Sequence, residues 1–342
     1  MRAGYISEIK KAVFLKDAKE PEITKPDQVK IKVVSAGICG SELHAYHGIH
    51  QWRVPPLVSG HEFAGDVVEI GSDVTMCKVG DRVTAEPQYG CGECSFCKSG
   101  RYNICPDKKI LGATYWSGSF GEYIVVPQKT VVKLGAKVSY DEGALIEPIA
   151  VGMHAVRENR VNENSSIAII GTGTIGLGVY LSAKVFNPKQ IIMIDVADFN
   201  LEKARQMGCL ATFNSLKEDV AQKVMELTDG IGVDITFLAF GNAPTVRQAC
   251  EITRRGGIVS EIAVIPSGTV MPFDLLQIKE LTLVGSNMYV SEDFEVVCRA
   301  IEEGKMDLSK FITKNYPIED FAEAMDVTDR REEPVVKTML HF

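Results

Sequence analysis

The pattern of apolar and polar positions changes along the chain. In the middle part, short continuous apolar runs alternate with longer segments of helical period. Runs of this length are typical of strands that are buried on both faces of a parallel sheet. They predict strands at residues 167–170, 191–194, 210–213, 233–238, 257–260 and 281–284. Strands that alternate with helices in this way predict a doubly wound α/β domain.

The chain on either side of this part has a different pattern. Residues 29–33 alternate apolar and charged side chains, as a half-solvated antiparallel strand does. Short strands separated by glycine turns continue through residues 63–83, and they predict a compact β-rich domain. We therefore expect a β-rich domain of residues 1–151 and 286–342, and a dinucleotide-binding domain of residues 152–285.

A glycine-rich turn follows the first buried strand. It reads Gly-Thr-Gly-Thr-Ile-Gly from Gly171 to Gly176, and it leads directly into a helical segment. Gly171 allows a tight turn, Gly173 lets the backbone approach a pyrophosphate, and Gly176 lets the helix pack close to the strand. The helix start, at Thr174 and Ile175, supplies free N–H groups to the phosphates. The turn therefore predicts a dinucleotide site.

An acidic residue ends the second buried strand. Asp195 lies 19 residues after Gly176, close to the ~20 residues that separate this motif from the carboxylate that binds the adenosine ribose. A carboxylate at this position would repel a 2′-phosphate. We therefore expect NAD rather than NADP as the coenzyme.

Four cysteines form the most specific motif in the chain. Cys91, Cys94 and Cys97 are spaced three residues apart, and Cys105 follows eight residues later. Four thiolates can surround one tetrahedral ion and leave it no open position, so we expect a structural zinc in a lobe at residues 88–108. A redox pair needs only two of these thiols, which makes redox-active cysteines the weaker interpretation.

A second group of metal-ligand side chains is scattered through the first domain. Cys39 opens the motif Cys-Gly-Ser-Glu-Leu-His, and His61 and Glu62 lie in Gly-His-Glu-Phe-Ala-Gly. Glu147 follows far downstream. Thiolate, imidazole and carboxylate groups are zinc ligands, and an incomplete protein shell leaves a position for substrate. Together these residues predict a catalytic metal site.

Each of these residues also has a structural interpretation. Cys39 alone would be a buried thiol, and His61 alone a core histidine. Pro148 suits the first position of a helix, so Glu147 could be a charge at a helix start. The combination favours the metal site over these separate interpretations.

Composition limits the kinds of partner. A net charge of −8 argues against nucleic acid or an anionic membrane as the main partner. The first residues contain no apolar signal core, and no apolar run reaches the ~18 residues of a membrane span. We therefore expect a cytoplasmic protein whose nine cysteines bind metal or stay reduced.

These motifs, in this order, resemble those of the medium-chain zinc-dependent alcohol and polyol dehydrogenases. The Glu147-Pro148 pair resembles the pattern found at this position in the bacterial polyol branch of the family, which includes sorbitol, threonine, butanediol and galactitol-phosphate dehydrogenases. The resemblance implies a GroES-like catalytic domain joined to a Rossmann domain, with one catalytic and one structural zinc. It also implies that Cys39, His61 and Glu147 hold the catalytic zinc, with Glu62 as a direct or exchangeable ligand.

The function that the resemblance implies is hydride transfer between a secondary alcohol of the polyol type and NAD. By the same resemblance, Ser41 and His44 form a proton relay, and the protein is a homodimer or homotetramer. Glu42 stands where the family usually has an aspartate. Two alternatives remain open: a dehydrogenase of another alcohol class (threonine, butanediol or a sugar acid), and a non-catalytic NAD-binding protein on the same fold.

Overall fold

The computed structural model describes residues 1–330, 332 and 334–342. Its strands, in chain order, are β1 Ala3–Glu8, β2 Lys11–Leu15, β3 Gln28–Ile38, β4 Glu62–Ile70, β5 Arg82–Ala85, β6 Gln88–Tyr89, β7 Lys109–Ile110, β8 Tyr123–Pro127, β9 Val131–Lys133, β10 Ser166–Ile170, β11 Gln190–Asp195, β12 Ala211–Asn214, β13 Val233–Leu238, β14 Thr253–Glu261, β15 Thr282–Gly285, β16 Ile312–Pro317 and β17 Lys337–His341. Its α-helices are α1 Gly40–Tyr46, α2 Ser95–Lys98, α3 Tyr140–Glu158, α4 Thr174–Lys184, α5 Asp198–Gln206, α6 Val220–Leu227, α7 Ala243–Ile252, α8 Phe273–Lys279, α9 Ser291–Glu302 and α10 Phe321–Arg330. Within the described part of the chain, no helix combines the length and the apolar character that crossing a membrane requires.

One compact unit consists of residues Met1–Glu147 and Val290–Phe342. Its main sheet has the strand order β16-β17-β3-β4-β5-β9, and β8 pairs with the first half of β3. The pair β16 and β17 is parallel and the others are antiparallel. Val29, Ile31 and Val33 of β3 are fully buried, so this central strand runs through the apolar core of the unit.

The second compact unit, Pro148–Tyr289, is built on a parallel sheet. Its strand order is β12-β11-β10-β13-β14-β15, and every neighbouring pair is parallel. The order reverses between β10 and β13, which is the switch point of a doubly wound sheet. Ile167, Ala168 and Ile169 of β10 are fully buried, as expected for a strand covered on both faces. The predicted α/β fold class is confirmed, and each of the predicted strands of this sheet is present.

The helix that carries the glutamate-proline pair begins earlier than expected. It runs over Tyr140–Glu158 with Pro148 in its interior, so the prediction of a helix start at Pro148 was wrong. A capping box begins the helix instead: the N–H of Glu142 donates to Oγ of Ser139 at 3.2 Å, and the N–H of Ser139 donates to the carboxylate of Glu142 at 2.8 Å. The turns before the proline bury apolar side chains such as Ile146, and this packing outweighs the cost of an interior proline.

Candidate functional site

Strand register brings the ends of three strands to one place. Gly37 of β3 is the register partner of Glu62, the first residue of β4. Cys39, which follows β3, and His61, which precedes β4, therefore lie at the same edge of the sheet. Glycine at position 37 leaves room for the carboxylate of Glu62, because a Cβ there would lie 2.0 Å from Oε2 and would displace it. The pairing of β17 with β3 brings Lys337 to this edge as well.

Glu42 links the cysteine to the histidine. It lies in the first turn of α1, whose N-cap is Cys39. The backbone N–H of Cys39 donates to Oε2 of Glu42 at 3.0 Å, and Oε1 lies 2.7 Å from Nδ1 of His61. Complete burial raises the pKa of Glu42, but His61 and Arg53 outweigh it and lower this pKa to about 2. Because Nδ1 is hydrogen-bonded to a carboxylate, Nε2 is the nitrogen of His61 that could bind a metal ion.

Glu147 faces the second nitrogen of the same histidine. Its Oε2 lies 3.9 Å from Nε2 of His61, whereas two ligand atoms on one tetrahedral zinc are about 3.4 Å apart. Cys39, Glu42 and His61 offer ligand atoms within 4.8 Å of one another. His61, Glu62 and Glu147 do the same. The two groups share His61, and their thiol, imidazole and carboxylate donors are those that zinc prefers.

Glu62 is held by Lys337, a lysine that the sequence analysis did not single out. Nζ of Lys337 lies 2.7 and 2.8 Å from the two carboxylate oxygens of Glu62, and it donates to the carbonyl oxygen of Ile38 at 3.2 Å. Burial lowers the pKa of Lys337, but the carboxylate of Glu62 outweighs it and raises the pKa overall. The sequence does contain one signal for this contact: Lys337 is the one charged residue in the mainly apolar run 335–340. A charged residue among apolar ones is buried only when it has a partner.

Ser41 and His44 lie one turn apart on α1. Ser41 is half-buried and His44 is exposed, and their spacing places both on one face of the helix. Arg53, in the loop between α1 and β4, donates from Nη1 to Oγ of Ser41 at 3.5 Å. Arg53 was also missed from the sequence, because an arginine in a loop carries no pattern that predicts its burial.

The cysteines of the lobe converge on one point. The sulfur atoms of Cys91, Cys94, Cys97 and Cys105 all lie within 4.8 Å of one another. Those of Cys91 and Cys97 are 3.9 Å apart, close to the ~3.8 Å between two thiolates on one tetrahedral zinc. Backbone N–H groups, first that of Cys94, lower the pKa of the Cys91 thiol to about 7. The cluster fits a structural zinc site.

The glycine-rich turn lies in the second unit, between β10 and α4. Gly171 has a φ of +94°, and its N–H donates to the carbonyl oxygen of Ile194 at 2.8 Å. Gly176 packs so closely that a Cβ there would lie 1.7 Å from the oxygen of Gly171. Gly173 is the N-cap of α4, and a Cβ there would meet nothing within 4 Å. The space beside Gly173 is therefore open to a phosphate group at the helix start.

Asp195 ends β11 beside this turn. Its Oδ2 accepts from the N–H of Thr172 at 2.6 Å and from Nδ2 of Asn200 at 3.3 Å. Its Oδ1 accepts from the N–H groups of Val196 and Ala197 at 2.7 and 2.8 Å. These bonds fix the carboxylate at the carboxyl end of its strand, next to the helix start that the glycine turn precedes.

The chain is similar to known dehydrogenases along nearly its whole length. Residues 25–136 match the alcohol dehydrogenase GroES-like domain, and residues 174–303 match the zinc-binding dehydrogenase domain. The chain is 35% identical to sorbitol dehydrogenase of Bacillus subtilis, over 92% of this chain and 90% of that protein. It is 34% identical to D-arabitol-phosphate dehydrogenase of Enterococcus avium, over 91% of this chain and 89% of that protein.

A solved structure gives the same result in three dimensions. Galactitol-1-phosphate dehydrogenase from Escherichia coli matches with a TM-score of 0.92 at 30% sequence identity, and the match covers 100% of both chains. The resemblance inferred from the motifs is thereby confirmed. The chain belongs to the zinc-dependent alcohol and polyol dehydrogenases, in which an alcohol dehydrogenase GroES-like domain is joined to a zinc-binding dehydrogenase domain of the Rossmann type, and it is an alcohol oxidoreductase.

Proposed function

We propose that the protein oxidises a secondary hydroxyl group of a polyol, with a catalytic zinc held by Cys39, His61 and Glu147 and with NAD as the coenzyme. The observation that carries the proposal is the gathering of ligand atoms around His61, whose imidazole is oriented by Glu42. The relatives named for sorbitol, arabitol phosphate and galactitol 1-phosphate support the substrate class. When bound, zinc supplies Lewis-acid stabilisation of the alkoxide and NAD supplies the hydride acceptor.

The side chains around the ion have separate tasks in this proposal. The thiolate of Cys39 and the carboxylate of Glu147 offset the charge of the ion, and Glu42 keeps Nε2 of His61 directed toward it. Lys337 holds both oxygens of Glu62. Glu62 would therefore be an exchangeable ligand, because it could bind the ion only after leaving the lysine.

Ser41 and His44 carry the substrate proton to solvent. Oγ of Ser41 accepts the hydroxyl proton of the substrate while its own proton passes to His44, which is exposed and can release it to water. Replacing His44 by Gln is expected to depress turnover mainly at low pH, because hydroxide can take the proton at high pH. The affinity for NAD should change little. A pH–rate profile identical to that of the wild type would contradict the relay.

Asp195 selects NAD in this proposal, since its carboxylate would repel a 2′-phosphate. Asp195→Asn removes the charge and keeps the size of the side chain. We expect the ratio of kcat/KM for NADP to that for NAD to rise by about tenfold, which corresponds to ~1.4 kcal/mol. The ratio is measured with one alcohol and both coenzymes. A ratio that does not change would remove Asp195 as the determinant.

The same proposal includes the roles of the two units, the oligomeric state of the protein and its location in the cell. The unit of Met1–Glu147 and Val290–Phe342 performs the chemistry, and the unit of Pro148–Tyr289 binds the coenzyme. Strand β15 lies at an edge of its sheet, and its Leu283 is 41% exposed, which supports a homodimer or homotetramer. All nine cysteines lie in the described part of the chain and none is paired in a disulfide, which supports a reducing, cytoplasmic location.

A screen of NADH release tests the function directly. Zinc-replete protein is mixed with NAD and a panel of polyols, polyol phosphates, vicinal diols and amino alcohols, and absorbance of NADH is followed. We expect turnover with polyol-type substrates and about two zinc ions per chain by elemental analysis. About one zinc ion per chain and no turnover across the panel would contradict the proposal and favour a non-catalytic protein.

A further inference from the structure

Arg53 lies in a loop, yet its side chain is almost entirely buried. The residue is 5% exposed. Its Nη1 donates to Oγ of Ser41, and its Nη2 donates to the carbonyl oxygen of Leu111 at 3.3 Å. Its Nε lies 3.5 Å from Oε1 of Glu42. One rigid, planar group therefore contacts helix α1 at two positions and a second segment of chain beyond β7.

Glu42 is the charge that balances this guanidinium. His50 also lies close, with Nε2 at 3.0 Å from Nη1 of Arg53, but burial and then the charge of Arg53 lower the pKa of His50 to about 4. His50 is therefore neutral near neutral pH. Glu42 is fully buried, and the same Oε1 that faces Arg53 lies 2.7 Å from Nδ1 of His61. A shift of the guanidinium would shift the carboxylate that orients His61.

The contact with Ser41 constrains the hydroxyl group of the proposed relay. A serine hydroxyl has one donor and two acceptor positions. The donation from Nη1 of Arg53 occupies one acceptor position. One acceptor position then remains for the substrate hydroxyl, and the proton of Ser41 is left to donate toward His44. The guanidinium thus orients the hydroxyl without taking part in the proton transfer.

We propose that Arg53 is a positioning residue of the active site, which fixes both the Glu42 carboxylate behind His61 and the Ser41 hydroxyl group. The part that concerns Ser41 rests on the proposed proton relay. The part that concerns Glu42 and His61 rests on the metal site alone. Lysine cannot substitute, because a single ammonium group cannot contact Ser41, Glu42 and Leu111 in one plane.

Two substitutions of Arg53 and one control test the proposal. Arg53→Met removes the donors and keeps much of the length of the side chain, and Arg53→Lys keeps the charge. Arg82→Met is the matched control in the same unit: the guanidinium of Arg82 donates to the carbonyl oxygen of Val138 at 2.6 Å and lies 4.5 Å from the ring centroid of Tyr140. Each variant is measured for kcat, KM, the thermal unfolding midpoint and metal content.

We expect Arg53→Met to lower kcat by about 100-fold, the size of effect that follows when a reacting group is misplaced by about an ångström. Arg53→Lys should lower kcat by about tenfold while metal content and the unfolding midpoint stay near those of the wild type. Arg82→Met should lower the midpoint and leave kcat within about twofold. If Arg53 acts through Ser41, the effects of Arg53→Met and Ser41→Ala on kcat will be less than multiplicative in the double variant.

Cobalt spectroscopy gives a readout that does not depend on turnover. With Co²⁺ in place of zinc, the ligand-field and thiolate-to-cobalt bands report the geometry at Cys39 and His61. The four-cysteine site contributes the same bands to the spectrum of every variant, so differences between variants come from the other site. We expect these bands to shift in Arg53→Met and not in Arg82→Met. If no alcohol is oxidised even by the wild type, the proposed function fails, and this spectrum still tests Arg53.

Several results would overturn the proposal for Arg53. One is a wild-type kcat in Arg53→Lys. Another is an Arg53→Met variant that matches Arg82→Met in kcat and keeps the wild-type cobalt spectrum. If Arg53→Met does not fold, the decision rests on Arg53→Lys, for which a wild-type kcat contradicts the role.

Discussion

The ion pair between Glu62 and Lys337 has almost no access to water. Glu62 is fully buried and Lys337 is 2% exposed, and Nζ contacts both carboxylate oxygens. A buried pair adds little stability over an apolar pair, but the removal of one partner leaves an uncompensated charge in the core. The two residues are 275 positions apart in the chain, so the final strand is tied electrostatically to the start of β4.

Replacing Lys337 by Met is therefore expected to lower the free energy of unfolding by about 3–5 kcal/mol. Denaturant unfolding at fixed zinc concentration measures the change. The double variant Lys337→Met, Glu62→Gln removes the stranded charge and should recover part of the loss. A single variant that unfolds at the same denaturant concentration as the wild type would contradict the predicted cost of breaking the pair.

Residue types and spacing predicted the candidate ligands but not the side chains that hold them. The cysteine lobe and the Gly171 turn are local motifs whose chemistry requires those residue types at that spacing. Lys337 and Arg53 act through contacts with residues distant in sequence, and such contacts depend on strand register and loop packing. Glu42 was noted only as a departure from the family's aspartate. In the structure its carboxylate contacts His61, Arg53 and the backbone of Cys39.

At the scale of secondary-structure elements, one polar cluster joins the C-terminal strand β17 to α3 and β3. His341 of β17 lies with Nε2 at 2.9 Å from Oδ1 of Asp141 in the first turn of α3, and Oγ of Ser35 in β3 donates to the same oxygen. The hydrogen bond that the imidazole of His341 donates to Asp141 raises the pKa of His341 and lowers the pKa of Asp141. The pair is therefore ionised between the two shifted values.

The sign of the pH dependence follows from these directions. The stabilisation by His341 is complete below the ordinary histidine pKa of ~6.5 and is lost as pH rises through the raised value. Because the imidazole is 39% exposed, we expect His341→Gln to cost only about 0.2–1 kcal/mol near pH 6 and less near pH 9. Thermal unfolding of both proteins at the two pH values measures this, and an equal cost at both would contradict the ion pair.

Elements were predictable where the apolar pattern was long and regular. The parallel strands of the second unit have continuous apolar runs, because both faces of that sheet are covered. Pro148 is suited to a first helical position and predicted the start of α3 there, but the capping box of Ser139 and Glu142 begins the helix at Tyr140. An interior proline removes one helical hydrogen bond, and in α3 it lies among turns that bury apolar side chains such as Ile146 and Ile149.

At the scale of the whole molecule, the candidate functional groups predicted from the sequence are distributed between the two units. The β-rich unit contains both candidate metal sites, and the doubly wound unit contains the glycine turn and Asp195. The family is established by similarity over nearly the full chain. The choice of substrate could not be predicted from the sequence, because it depends on side chains whose positions no local motif specifies.

The central claim is that Cys39, His61 and Glu147 bind one metal ion, separately from the four-cysteine lobe. Anomalous diffraction at the zinc absorption edge, from crystals of zinc-replete protein, tests this claim most directly. We expect one anomalous peak within bonding distance, about 2.0–2.3 Å, of Sγ of Cys39, Nε2 of His61 and a carboxylate oxygen of Glu147, and a second peak inside the lobe. A peak in the lobe alone, with none beside His61, would contradict the account.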